Sequence, residues 1–141
     1  MAPDVFERGV PAAIDELPGL LDAFEGWLVE HAVPPEPRDD LLLALDEAFS
    51  NAVVHGYAGA PGEVAVRARA CPGGVELEVV DRAPAFDPFA EAPLPDLDAP
   101  LEERPIGGLG VFLIRELMDR AEYRREQDRN VLILSRRWST G

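Results

Sequence analysis

From Pro11 to His55 apolar residues recur every three or four positions, whereas from Glu63 to Val80 they alternate with polar ones. One kind of element cannot satisfy both patterns, because a helix repeats its face every 3.6 residues and a strand every two. The first helical stretch spans Pro11 to His31, with Ile14, Leu17, Leu20, Leu21, Phe24, Trp27 and Leu28 on one side. "VPPEP" is expected to end it, since proline lacks an N–H and clashes with the preceding turn. A second helix is predicted from about Arg38 to His55, stopped by "GYAGAPG". "EVAVRARA" and "VELEVV" read as strands joined through "CPGG", and residues 4–10 as a short first strand. "GGLGVFLIRELMDRA" starts a third helix, and "EYRREQ" and "NVLILSRR" close the chain as a hairpin turning in "DRN". Helices segregated from a mostly antiparallel sheet predict an α+β fold, a two-layer α/β sandwich with the helices on one face.

At 141 residues the chain has the size of one domain, so 1–141 is read as a single unit. No apolar run approaches the roughly 20 residues that cross a bilayer, and no membrane association is expected. The first residues, "MAPDVFERGV", show no basic patch followed by an apolar run, so the expected location is cytoplasmic. Cys71 is the single cysteine, which excludes an internal disulfide and a cysteine-based zinc site. The net charge of −14 argues against direct binding to nucleic acid, whose phosphates such a surface repels. That charge serves solubility or an acidic docking face for a basic partner.

Three short stretches carry chemistry. On a helical wheel, Leu41, Leu45, Ala48, Phe49 and Ala52 form the core stripe of the second helix. Glu47, Asn51 and His55 follow each other at four-residue intervals beside it, while Asp46 and Ser50 point to solvent. Such a margin is either a solvated edge or a ligand set, for it supplies a base, an oxygen ligand and a donor suited to a divalent cation plus phosphate. In "VVDRAPAFDP" a strand ends in Asp81, which either caps a turn or accepts from a base amino group. In "PIGGLGVFLIRELMD" glycines feed a helix, where backbone N–H groups can close on phosphate oxygens. The last stretch is neither a Walker loop nor a Rossmann fingerprint. Between Asp81 and the glycines, residues 83–105 lack periodicity and are crowded with proline and carboxylates, so they are expected to add neither strand nor helix.

The order of these stretches resembles the ATP-binding fold shared by gyrase, Hsp90 and histidine kinases. It is most similar to the anti-sigma-factor serine kinases of bacterial partner-switching systems. "DEAFSNAVVHGY" resembles their N box, "DRAPAFDP" the first glycine box and "RPIGGLGVFLIRELMD" the second. The resemblance implies ATP or ADP with Mg²⁺ as the bound groups. By it, Glu47 is the catalytic base that takes the proton of an acceptor serine, and Asn51 the Mg²⁺ ligand. Asp81 accepts from the adenine amino group, with Ala83 and Phe86 beside it. Gly107, Gly108, Leu109 and Gly110 present backbone to the phosphates, and Arg104 swings toward them from an ATP lid at about 83–107. The implied partners are a STAS-domain anti-anti-sigma factor, phosphorylated on serine, and a sigma factor or other regulator, with the chain itself a homodimer. Ala83 and Ala85 depart from the family, which usually has glycine at both positions, where positive φ or close backbone approach is at stake. They favour an alternative, a nucleotide-sensing interaction module that transfers no phosphate. His55 is expected to hydrogen-bond the turn that ends its helix.

Overall fold

A computed structural model describes residues 4–91 and 108–139. Its strands are β1 (Val5–Pro11), β2 (Glu63–Cys71), β3 (Gly74–Asp81), β4 (Arg120–Glu126) and β5 (Arg129–Arg137). They form one antiparallel sheet in the order β1-β2-β3-β5-β4. The helices are α1 (Leu17–Glu30), α2 (Pro35–Asn51), the short α3 (Pro88–Glu91) and α4 (Gly108–Leu117). The long helices cover one face, which gives the α+β architecture that the change of period predicts. Among the described residues no helix is long and apolar enough to cross a membrane.

Register explains where the core stops and the site begins. Phe6, Ala68, Leu77 and Leu134 form one row across the inner face, and Val66, Val79 and Leu132 the next. These side chains meet Phe24, Trp27 and Leu28 of α1 and Leu41, Leu45 and Phe49 of α2, all buried. Each such side chain contributes roughly 1.5–3 kcal/mol on burial. One step further along the same face the row reads Val64, Asp81, Asn130 and Arg125. The inner face thus turns polar at one end. A partly buried ion pair, Arg136 Nε to Asp40 Oδ2 at 2.9 Å, fastens α2 to β5.

Several boundaries differ from the sequence reading. The prolines of "VPPEP" begin α2, which starts at Pro35 and not near Arg38. Pro34 caps it at φ −60° and ψ 156°, and a proline in the first turn has no hydrogen bond to lose. α1 has already ended at Glu30, and Ala32 turns the chain at φ 56°. α2 stops at Asn51, and Ala52–Gly56 continue as a π-helical turn closed by the Tyr57 N–H on the Ala52 carbonyl at 2.8 Å. α3 corrects the expectation that the stretch from Ala83 adds no helix. Pro88 is tolerated at its start, and Asp87 Oδ1 accepts the free N–H of Phe89 at 2.9 Å. α4 ends at Leu117, so Arg120 and Ala121 belong to β4. The closing turn lies at Gln127, with φ 56°, which leaves Arg129 and Asn130 inside β5. The remaining positions of the expected lid, 92–107 with Arg104 and Gly107, lie outside the described residues.

Candidate functional site

The margin of α2 is graded by depth. Glu47 is half-buried, Asn51 is only 8% exposed, and His55 is exposed on the π-helical turn. Neither the Glu47 carboxylate nor the Asn51 side-chain amide has a hydrogen-bond partner among the described residues. No fully enclosed side-chain nitrogen or oxygen there lacks a partner, so the Asn51 amide opens onto free space. Burial, reinforced by the neighbouring Asp46 charge, raises the Glu47 carboxyl above its ordinary range.

The space that Asn51 faces is a cavity between α2 and the polar end of the sheet. Ala48, Asn51 and Gly56 line one wall, Val79 and Asp81 another, and Phe86 and Pro88 cover it. Its volume is about 30 Å³, room for a water or two and far less than a nucleotide base needs. Asp81, 8% exposed, is partly committed. Its Oδ1 accepts from the Ala83 N–H at 2.9 Å and from Asn130 Nδ2 at 2.8 Å. Its Oδ2 is unpartnered among the described residues, which leaves one acceptor for a ligand. Asn130 is the site residue that sequence reading misses, because "DRN" reads as a turn.

The stretch after Asp81 tolerates its alanines. Neither Ala83 nor Ala85 has positive φ, so neither carries the strain that glycine would relieve. Ala83 is buried, and its methyl packs against Gly56: a Cβ at position 56 would lie 3.3 Å from it. Phe86 stacks on His55 with ring centroids 5.8 Å apart and planes at 13°. His55 therefore meets an aromatic ring and makes no hydrogen bond to the turn, contrary to the sequence expectation.

Gly108, Leu109 and Gly110 form the first turn of α4, where backbone N–H groups have no intrahelical partner and anions are favoured. A Cβ at position 110 would overlap the Glu47 carboxylate. Only glycine lets the two helices approach that closely, and the approach brings the Glu47 carboxylate to the first turn of α4. Mg²⁺ takes oxygen ligands, few from protein and the rest from phosphate and water. The buried amide of Asn51, without a partner among the described residues and open to the cavity, fits that role.

Curated relatives include the serine-protein kinases RsbW of Bacillus thuringiensis (strain Al Hakam), 30% identical over 104 residues, and of Bacillus cereus (strain AH820), 31% identical over the same length. Each alignment takes in 67% of this chain, and the chain spans 61% of the length of these relatives. Among solved structures, the RsbU and RsbW domains of Rv1364c from Mycobacterium tuberculosis superpose with a TM-score of 0.67 at 22% identity, over 96% of this chain and 32% of that one. The histidine kinase domain of a blue-light activated histidine kinase from Erythrobacter litoralis superposes at 0.54 and 19% identity, over 97% and 65%. At such identities the two structures speak for the fold alone. The family match itself, to the histidine kinase-like ATPase domain, runs over residues 10–136, from the end of β1 almost to the end of β5, and the chain belongs to that family.

Proposed function

We propose that the chain binds ATP and passes its terminal phosphate to a serine of a STAS-domain anti-anti-sigma partner, and that in another state it holds a sigma factor or comparable regulator. The similarity to proteins named serine-protein kinase supports the chemistry and weighs against a module that only senses nucleotide. One observation carries the catalytic part: the half-buried Glu47 carboxylate, without a partner among the described residues, lies against Gly110 at the start of α4, one helical turn before the buried Asn51 amide.

In this reading Asp81 Oδ2 accepts from the adenine amino group, and Phe86 and Pro88 withdraw to admit the base. The N–H groups at Gly108 and Gly110 hold the phosphates, with Arg104 and Gly107 completing the lid side. Asn51 would hold a Mg²⁺ ion, which would supply positive charge to offset that of the phosphates. Glu47 removes the serine hydroxyl proton as that oxygen bonds to the γ-phosphorus. The bond from that phosphorus to the bridging oxygen breaks, and ADP leaves with the electron pair. A carboxyl with raised proton affinity is the better base for this step.

The test is a thermal shift with Mg-ATP, followed by phosphotransfer to a STAS-domain protein encoded beside this chain. Transfer to serine supports the kinase. Binding without transfer makes the chain a nucleotide-sensing module, and no binding overturns both readings.

A further inference from the structure

We propose that Asn130 is a positioning residue that aims the Asp81 carboxylate and thereby sets a preference for adenine over guanine nucleotides; this rests on the nucleotide site proposed above. The orientation of its amide is dictated by its neighbours. Tyr123 Oη at 2.6 Å, Arg125 Nη1 at 3.2 Å and the Phe86 N–H at 3.3 Å are all donors, so the atom they meet is oxygen. Asp81 Oδ1 at 2.8 Å and the carbonyls of Ala83 and Pro84 at 3.2 and 3.1 Å are all acceptors, so the atom facing them is the NH₂ nitrogen. Asn130 is 5% exposed and cannot reorient without leaving several of these groups unpaired.

That lock has a chemical consequence. Two donors saturate Oδ1 of Asp81 and hold the carboxylate plane, so Oδ2 is the face offered to the cavity. An acceptor held at one point welcomes the amino group on the six-membered ring of adenine and repels the carbonyl that guanine carries there. A carboxylate free to turn would discriminate less. Asn130 also ties down Ala83, Pro84 and Phe86, the stretch that covers the cavity, and Arg125 Nη1 adds a bond to the Ala83 carbonyl at 2.8 Å. The alanines thus stand in a segment held from outside by side chains of the β4–β5 hairpin.

The experiment is calorimetric titration of wild type, Asn130→Asp and Tyr123→Phe with Mg-ATP and with Mg-GTP. Asn130→Asp replaces the donor to Asp81 with a like charge. ATP affinity should fall about tenfold or more and GTP affinity less, so the ratio of the two affinities shrinks. Tyr123→Phe removes one donor to the Asn130 oxygen while keeping the ring, and should shrink the ratio by a smaller factor. It decides the matter if Asn130→Asp does not fold. Equal loss for both nucleotides, with the ratio unchanged, would reduce Asn130 to a structural role and overturn the proposal while leaving the nucleotide site standing. Wild type that binds neither nucleotide overturns the site itself, and this proposal with it.

Discussion

Gly110 on the first turn of α4 comes so near Glu47 on α2 that a Cβ at 110 would overlap the Glu47 carboxylate and sit 3.0 Å from its Cγ. The absence of one methyl group brings a carboxylate to a helix start, where free N–H groups favour anions. Gly110→Ala should cost about 1–3 kcal/mol through overpacking. Combined with Glu47→Ala, most of that loss should be recovered, because the obstructing side chain is gone. Urea denaturation of the two single variants and the double variant measures the coupling; strictly additive losses would mean the contact is not the cause.

Glu47→Gln keeps shape and removes the proposed base. Nucleotide affinity should stay near wild type while phosphotransfer falls by about 10²–10⁴. Since burial raises the folded-state pKa, the ionised form opposes folding. Wild-type stability should therefore drop as pH rises from the unfolded carboxyl value, about 4.3, through the higher folded value, and then level off. The glutamine variant has no such titration, so its melting temperature relative to wild type should climb across that window. A pH series of thermal melts reads this directly, and a gap that stays constant with pH would contradict it.

Asn51→Ala should weaken Mg-ATP binding by more than about tenfold, or ~1.4 kcal/mol. Its amide has no hydrogen-bond partner among the described residues, so folding should lose little. Titration with Mg²⁺ varied at fixed ATP separates loss of the metal contact from loss of the base pocket. A folded variant with unchanged Mg²⁺ dependence would remove Asn51 from the metal site.

Asp40→Ala breaks the ion pair with Arg136, whose side chains are 15% and 19% exposed respectively. Leaving the arginine partly buried without its acceptor should cost about 1–3 kcal/mol. Because this pair lies on the α2–β5 seam away from the cavity residues, nucleotide affinity of the folded variant should not change. Chemical denaturation and nucleotide titration of the same preparation check both halves.

Much of the fold was legible because hydrophobic period is a local code. Leu41, Leu45, Ala48, Phe49 and Ala52 are buried as the helical wheel requires, and Val64, Val66, Leu77 and Val79 are buried as alternation requires. Local hydrogen bonding was less legible. Whether proline ends one helix or starts the next depends on backbone angles at Pro34, and the widened turn at 52–56 leaves no trace in residue spacing.

For the site, the sequence by itself determined the residue types and their order along the chain: a helix carrying Glu47 and Asn51, a strand ending in Asp81, then glycines opening a helix. Only the tertiary structure decided how they meet. Asn130 stands 49 residues beyond Asp81, and the antiparallel register of β3 with β5 makes them partners. Glu47 meets Gly110 because α2 and α4 pack side by side on the same sheet face. Spacing encodes which way a side chain points within its own element. Which strand lies beside which, and how closely two helices approach, follow from burying the whole apolar surface at once.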